Sequence, residues 1–277
     1  MGAARLGLGI DVGGSGVKAA VVDLDSGTLA SRRIRLRTPS PSTPAAVSEM
    51  IAGIVAELAG EVELPADVPV GCGVPGVVID GQVLTVANID AGWLEVSARQ
   101  VLSDALGRRV HVLNDADAAG MAEMAFGVGH GRRGTVLMLT IGTGIGSAIF
   151  RHSVLVPNTE FGHLRMGGHD AETRLSGVAR ERRRLKWRAW ANEFNVYIER
   201  LEALLWPDLI IFGGGVAKSF ASYGDRLRSR APIVVAEFLN ASGIVGAALH
   251  AAEVERQVEP KLPTAARIEA TVASDGR

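Results

Sequence analysis

The stretch Asp11-Val12-Gly13-Gly14-Ser15-Gly16 joins two apolar runs, 6–10 and 17–23, and the fold is decided by what surrounds it. A glycine turn leaving a strand lets backbone N–H groups converge on phosphate oxygens without interference from Cβ atoms. A second strand-type run follows this turn, not a helix. That excludes a Walker loop, which needs Gly-Lys-Ser/Thr opening a helix, and a dinucleotide fingerprint, which also feeds a helix. Gly13, Gly14 and Gly16 supply backbone freedom, Ser15 a hydroxyl, and Lys18 a cation for a phosphate oxygen. Asp11, at the strand end, is placed to hold a hydrated Mg²⁺ against phosphate oxygens. Taken alone, the turn also reads as a plain hairpin with an acidic residue.

Two further glycine turns follow apolar runs: Gly142-Thr143-Gly144-Ile145-Gly146 after Thr140, and Gly213-Gly214-Gly215. Between the first and second lies Asn114-Asp115, a carboxylate at the end of another apolar run. Three such turns with an acid between them predict a phosphoryl-transfer cleft between two similar halves. Periodicity predicts strands over 6–10, 17–23 and 28–37, a helix over 45–58, and a buried strand over 68–74. A turn-linked pair at 77–84, a helix at 97–106 and a strand at 109–113 complete the first half. The second half restarts with a helix at 116–126 and strands at 134–141 and 147–150. Beyond these come a helix at 187–205, strands at 209–212 and 233–236, and a small-residue helix at 241–255. In the long helix, Trp190, Phe194, Tyr197, Ile198, Leu201 and Leu204 share one face. The predicted organisation is a smaller α/β domain over 1–115 and a larger one over 116–240. A C-terminal helix, 241–256, packs back on the first domain, and 257–277 forms a polar tail.

The chain has 277 residues, enough for two domains, with 47% hydrophobic and 21% charged residues. A net charge of −1 gives no global field that would draw nucleic acid. Cys72 is the single cysteine, so no internal disulfide or multi-cysteine zinc site is available. Its apolar flanks make it a core thiol. The N-terminal residues lack signal-peptide architecture, and apolar runs break before membrane-spanning length. A cytoplasmic protein with no membrane or nucleic-acid partner is the expectation.

Transfer of a phosphoryl group to an alcohol requires a hydroxyl that is aimed and relieved of its proton. Asp115 is the residue placed for that; the competing reading is that it merely caps the helix after it. Asp117 reads as a first-turn acid complementing the helix dipole. In Glu160-Phe161-Gly162-His163, Glu160 and His163 are suited to bind sugar hydroxyls, a surface histidine being the alternative. Asn88-Ile89-Asp90 is a further polar candidate. From Arg180 to Arg188 the chain carries six cations against Glu181 alone. That is either a solvated face or, at Arg182, Arg183 and Arg184, a track for a polyphosphate chain.

These segments together resemble the ROK sugar kinases of the actin/hexokinase-like superfamily, and within them the actinobacterial polyphosphate glucokinases. The telling stretches are Asn114-Asp115-Ala116-Asp117-Ala118-Ala119-Gly120, Val156-Pro157-Asn158-Thr159-Glu160 and Ala241-Ser242-Gly243-Ile244-Val245-Gly246-Ala247-Ala248, within a resemblance spanning 5–252. The resemblance implies an α/β fold of two ribonuclease H-like domains with a cleft between them. It implies transfer from inorganic polyphosphate, and from ATP, to the 6-hydroxyl of glucose, with mannose as the alternative sugar. Asp115 would be the general base. Gly76, Asn88, Asn114, Glu160, His163 and Glu172 would hold the sugar, and Asp11 would organise Mg²⁺. Gly13, Gly14, Ser15, Gly16, Lys18, Thr140, Gly142, Thr143 and Gly144 would cradle phosphates, with Gly213, Gly214 and Gly215 facing the nucleotide or the far end of the donor. A homodimer is implied as well. The family's zinc-binding cysteine cluster is absent, so no structural zinc is expected. Arg151-His152-Ser153 departs from the Asp-Gly turn usual at that position. A sugar-sensing repressor on the same fold would need a DNA-binding module ahead of Asp11, where ten residues stand.

Overall fold

The computed structural model describes residues 5–258. Strands β1 (Leu6–Gly13) and β2 (Gly16–Asp23) form the hairpin around the first glycine turn, and β3 (Ile34–Leu36) pairs with β2. The third strand is shorter than the 28–37 expected. Ser31 turns its hydroxyl to the Val21 N–H, and Leu29 makes only an isolated bridge to Val22. Helix α1 (Pro44–Ala59) starts where Thr43 accepts the Ala46 N–H and Pro44 needs no partner for its nitrogen. Then come β4 (Val70–Val74), the short hairpin β5 (Val78–Ile79) and β6 (Gln82–Val83), α2 (Ala98–Leu106) and β7 (Val110–Asn114).

The second half runs α3 (Asp115–Ala125), β8 (Thr135–Ile141), β9 (Ile145–Arg151) and β10 (Val154–Val156). A small hairpin, β11 (Arg165–Met166) and β12 (His169–Asp170), leads into α4 (Glu172–Leu175) and α5 (Gly177–Arg182). Next are α6 (Trp187–Leu205), β13 (Leu209–Gly213), α7 (Gly214–Ala217), β14 (Ile233–Val235) and α8 (Ser242–Val258). The third glycine turn is thus a strand end passing directly into a short helix. The last helix runs on to Val258, so the first two residues of the expected tail are helical; the rest of it lies outside the described residues.

The two principal sheets are copies in order and sense. One is β3-β2-β1-β4-β7 and the other β10-β9-β8-β13-β14, each with an antiparallel three-strand meander extended by two parallel strands. This is the duplicated α/β architecture of the actin/hexokinase-like class.

Strand alternation sorts the side chains into three cores. On β1 and β4, Leu8, Ile10, Val70, Cys72 and Val74 face outward onto α1 and α2, while Gly7, Gly9, Gly71 and Gly73 face inward. On β8, Val136 and Met138 meet α3 and α8, whereas Leu137, Leu139 and Ile141 meet α6. Helices α3 and α8 therefore form one middle layer between both sheets. The inward glycines let α8 lie on the strand backbone: a methyl at position 71 would stand 1.8 Å from the Ala247 carbonyl oxygen. Position 246 is as tight, 1.6 Å from the Ala118 carbonyl oxygen of α3.

Cys72 is fully buried and its thiol is pushed well up by that burial, as a core residue should be. The apolar face of α6 is as expected except at its end. Leu204 is 65% exposed, and Leu205 packs against the core instead. No helix among the described residues is long and apolar enough to cross a membrane.

Candidate active site

The carboxyl ends of parallel β1, β4 and β7 meet at one edge of the first sheet, where Asp11 pairs in register with Gly73 and Gly73 with Leu113. Open α/β sheets bind ligands at such edges. Asp11 and Asp115 both stand there. Asn114, the last residue of β7, is the N-cap of α3: its Oδ1 accepts the Ala116 and Asp117 N–H groups at 2.8 and 3.0 Å. Asp115 is therefore released from capping. Half-buried beside Asp11, its carboxyl is pushed up to about 7, first by burial and then by the Asp11 charge, against the Ala116 N–H that favours the ionised form, with Glu160 and Asp117 adding to the rise.

The amide of Asn114 organises the rest. Its Nδ2 donates to the Gly76 carbonyl at 3.0 Å and to Glu160 Oε1 at 3.4 Å, so both halves of the chain meet on one side chain. The loop bearing Glu160 is fixed on β9 by buried Ser147, whose hydroxyl donates to the Thr159 carbonyl at 2.6 Å and accepts the Phe161 N–H. Glu160 is raised by burial, an effect partly countered by His163, which stands 3.8 Å away. His163 is itself raised by its 3.1 Å bond to Asp170, which in turn pairs with Arg165 at 2.9 Å. Glu172 opens α4 and accepts the Ile145 N–H at 3.2 Å, so it sits against the second glycine turn and within the field of Glu160 and His163.

The other glycine turns close the opposite wall. Gly142, Thr143 and Gly144 link β8 to β9, with Thr143 exposed at the tip. Gly146 approaches both the Thr140 hydroxyl and Ala116 next to Asp115, so this turn faces the start of α3. Gly213 pairs with Thr140, and Gly214, at φ +76°, packs its Cα on the Ile141 backbone. Gly215 follows in α7. On the first wall, Gly14 and Ser15 are exposed at the turn tip, Gly13 pairs with Gly16, and Lys18 bonds Asp11 at 2.5 Å.

Asn88 borders the first glycine turn. It has φ +64° and its backbone abuts Gly14, which puts it over the first turn. Of the three arginines, Arg183 is committed to the fold: it bonds both Glu193 oxygens at 2.7 and 2.8 Å and the Arg174 carbonyl. Arg182 reaches the Thr173 carbonyl and Arg184 is exposed.

Three contributors escaped the sequence reading. Asp117 is 1% exposed, accepts the Asn158 N–H at 2.8 Å and is pushed up to about 7 by burial. Asn158, at φ +59°, spans to the first half through Val78, accepting its N–H and donating to its carbonyl at 2.9 and 2.8 Å. Thr38 holds the first turn by bonding the Gly13 carbonyl at 2.5 Å. Asn158 stood within a stretch already singled out, but only its long-range partner reveals its work.

Fold and site together define a two-lobed sugar phosphotransferase. The sequence profile of the ROK family matches residues 7–178, and the chain belongs to that family. It is 44% identical to the polyphosphate glucokinase of Mycobacterium tuberculosis over 88% of this chain and 91% of that one. The inorganic polyphosphate/ATP-glucomannokinase of Arthrobacter sp. strain KM is 47% identical, with a TM-score of 0.87 over 90% of this chain and 99% of that one. A ROK glucokinase from Streptomyces griseus, solved with glucose and AMPPNP, is 25% identical with a TM-score of 0.76, covering 90% of this chain and 99% of that one.

Proposed function

We propose that this chain transfers a phosphoryl group from inorganic polyphosphate, and from ATP, to the 6-hydroxyl of glucose, with Asp115 as the base. The observation that carries this is the division of labour at the end of β7. Asn114 caps the helix, which leaves the Asp115 carboxyl, raised to about 7, beside Asp11 at the end of the first sheet. Such a group accepts a proton at neutral pH and gives it up readily afterwards.

Glucose would lie against Glu160, His163, Glu172 and the Gly76–Asn114 pair, and its hydroxyls would replace the long 3.4 Å bond from Asn114 to Glu160. Asp115 takes the proton as the sugar O6 forms its bond to phosphorus, and the bond from that phosphorus to its bridging oxygen breaks. The shortened polyphosphate, or ADP, leaves with that electron pair. The N–H groups of the first two glycine turns hold the transferred oxygens. The site presents Asp11, Asp115, Glu160 and Glu172 with Lys18 as a near cation, so a polyanionic phosphate donor needs an added positive charge. Asp11 stands as a carboxylate at the end of β1 beside the first glycine turn. That fits Mg²⁺, which takes one or two carboxylates and otherwise phosphate and water. Asp11 would hold it, and when bound it supplies charge neutralisation at the phosphates. Arg182 ends α5, whose Val178 N–H bonds the Gly142 carbonyl of the second glycine turn, and its own guanidinium bonds the Thr173 carbonyl. We further propose a cytoplasmic homodimer that also accepts mannose.

Comparing turnover with long-chain polyphosphate and with ATP at matched Mg²⁺ tests the donor. Both should support glucose phosphorylation, and activity with ATP alone would reject the polyphosphate assignment. The pH profile tests the base. Because Asp115 works only when ionised, kcat/KM should fall about tenfold per pH unit below about 7. An acid limb near 4, where an ordinary carboxylate titrates, would remove Asp115 from that role.

A further inference from the structure

The run Arg32-Arg33-Ile34-Arg35-Leu36-Arg37 contains β3, the outer edge strand of the first sheet, with arginines within it and on both sides. Ile34 is buried in the core under α1. Arg32 is held by Glu57 and Glu61 of α1. Arg35 takes the face of β3 opposite Ile34, and Arg33 and Arg37 flank the strand on either side. Arg33 donates to the Asn240 carbonyl at 3.3 Å, just ahead of α8. Arg35 is paired in register with Lys18, and its guanidinium lies against Gly16 and the Ser15 carbonyl of the first glycine turn. Arg37 precedes Thr38, which bonds that turn at Gly13. All three are exposed, and among the described residues none has a carboxylate within salt-bridge distance.

We propose that Arg33, Arg35 and Arg37 are the track on which the tail of a condensed phosphate donor lies as it leaves the cleft. This rests on the reading that polyphosphate is a donor, and it adds where the chain runs. Cations at alternate positions of an extended edge stand about 7 Å apart. A chain carrying charge at every phosphate offers an oxygen at each of them. The stripe begins at the turn that would hold the transferred group and descends the lobe toward Asn240, so it touches phosphates beyond those of a nucleotide. Its neighbour Arg32 is neutralised within the fold, while these three are left open. On the second wall Arg183 is tied to Glu193, so that side offers a poorer track.

The test is equilibrium binding of long-chain polyphosphate to the full chain, without glucose, alongside KM for long-chain polyphosphate, tripolyphosphate and ATP. The variants are Arg33→Gln/Arg35→Gln/Arg37→Gln and, for comparison, Arg182→Gln/Arg184→Gln. The triple variant should bind long-chain polyphosphate at least about tenfold more weakly, with a salt slope shallower by about 2. Its KM for long-chain polyphosphate should rise by the same factor, well beyond the change for tripolyphosphate or ATP. Retained glucose-induced thermal stabilisation certifies that it is folded. Equal losses for all three donors would overturn the track and place the arginines at the first turn alone. A larger loss in the Arg182/Arg184 variant would move the track to the other lobe and overturn it here. Absence of polyphosphate binding by the parent protein would also overturn it, and so would displacement by single-stranded DNA at equal phosphate concentration. Binding at the stripe without turnover would reject polyphosphate as donor while leaving the stripe intact.

Discussion

Asp115→Asn is expected to lose turnover by on the order of 10²–10⁴-fold while still being stabilised by glucose. The substitution keeps the shape of the group and leaves Asn114 free to cap α3, so neither the helix nor the sugar contacts should fail with the chemistry. Stability should move the other way from activity. The carboxyl of Asp115 titrates at about 7 in the fold against 3.8 outside it, so the folded state holds the proton more tightly. Ionisation between those values therefore costs the folded state stability, and the whole cost is present above about 7. Asparagine does not ionise. At pH 8 the variant should melt above the parent by on the order of 2 kcal/mol, or about 4–8 °C, allowing for partial exposure of the group. Below pH 4 the two should converge. Near-normal turnover, or a variant less stable at pH 8, would contradict the placement of this carboxylate.

Gly246→Ala should destabilise the protein by about 3 kcal/mol or more, roughly 6–12 °C in melting temperature. Helix propensity argues the reverse, since alanine in a helix interior is favoured by about 1 kcal/mol. The deciding fact is the 1.6 Å between a methyl at 246 and the Ala118 carbonyl oxygen. The obstacle is backbone, so no rotamer change relieves it; α3 and α8 must part, and the core they share with both sheets loosens. Thermal melts of parent and variant decide between the two effects by their sign.

The glycine turns made the sheets legible, because glycine after an apolar run marks a strand end wherever the sequence carries it. Asn114-Asp115 was legible for the same reason. What the sequence did not carry was which of the two would cap. Both residue types cap well, and only the geometry at the end of β7 assigns the cap to Asn114. Asp117 read as a first-turn acid complementing the helix dipole, with no partner of its own. It is buried, and its hydrogen-bond partner is the N–H of Asn158, forty-one positions away. The third glycine stretch read as a turn, yet its backbone continues into helix at once, with Gly214 against Ile141. The alternating glycines at 7, 9, 71 and 73 were visible but silent, since their meaning is the helix that lies on them. The arginines of 33–37 were read as part of a strand when the alternation of their charges was the informative feature.

The position of α8 has a consequence for how the chain reaches its native state. The face of the first sheet that carries Gly9 and Gly71 is covered by residues 242–258, more than a hundred positions after β7 has been made. During synthesis the first lobe emerges complete in strands yet lacks its lid. Contacts between segments so far apart in sequence form late and slowly. The half of the protein made first is therefore finished last, and Asp11, whose carboxylate lies against Gly243, acquires its final surroundings only then.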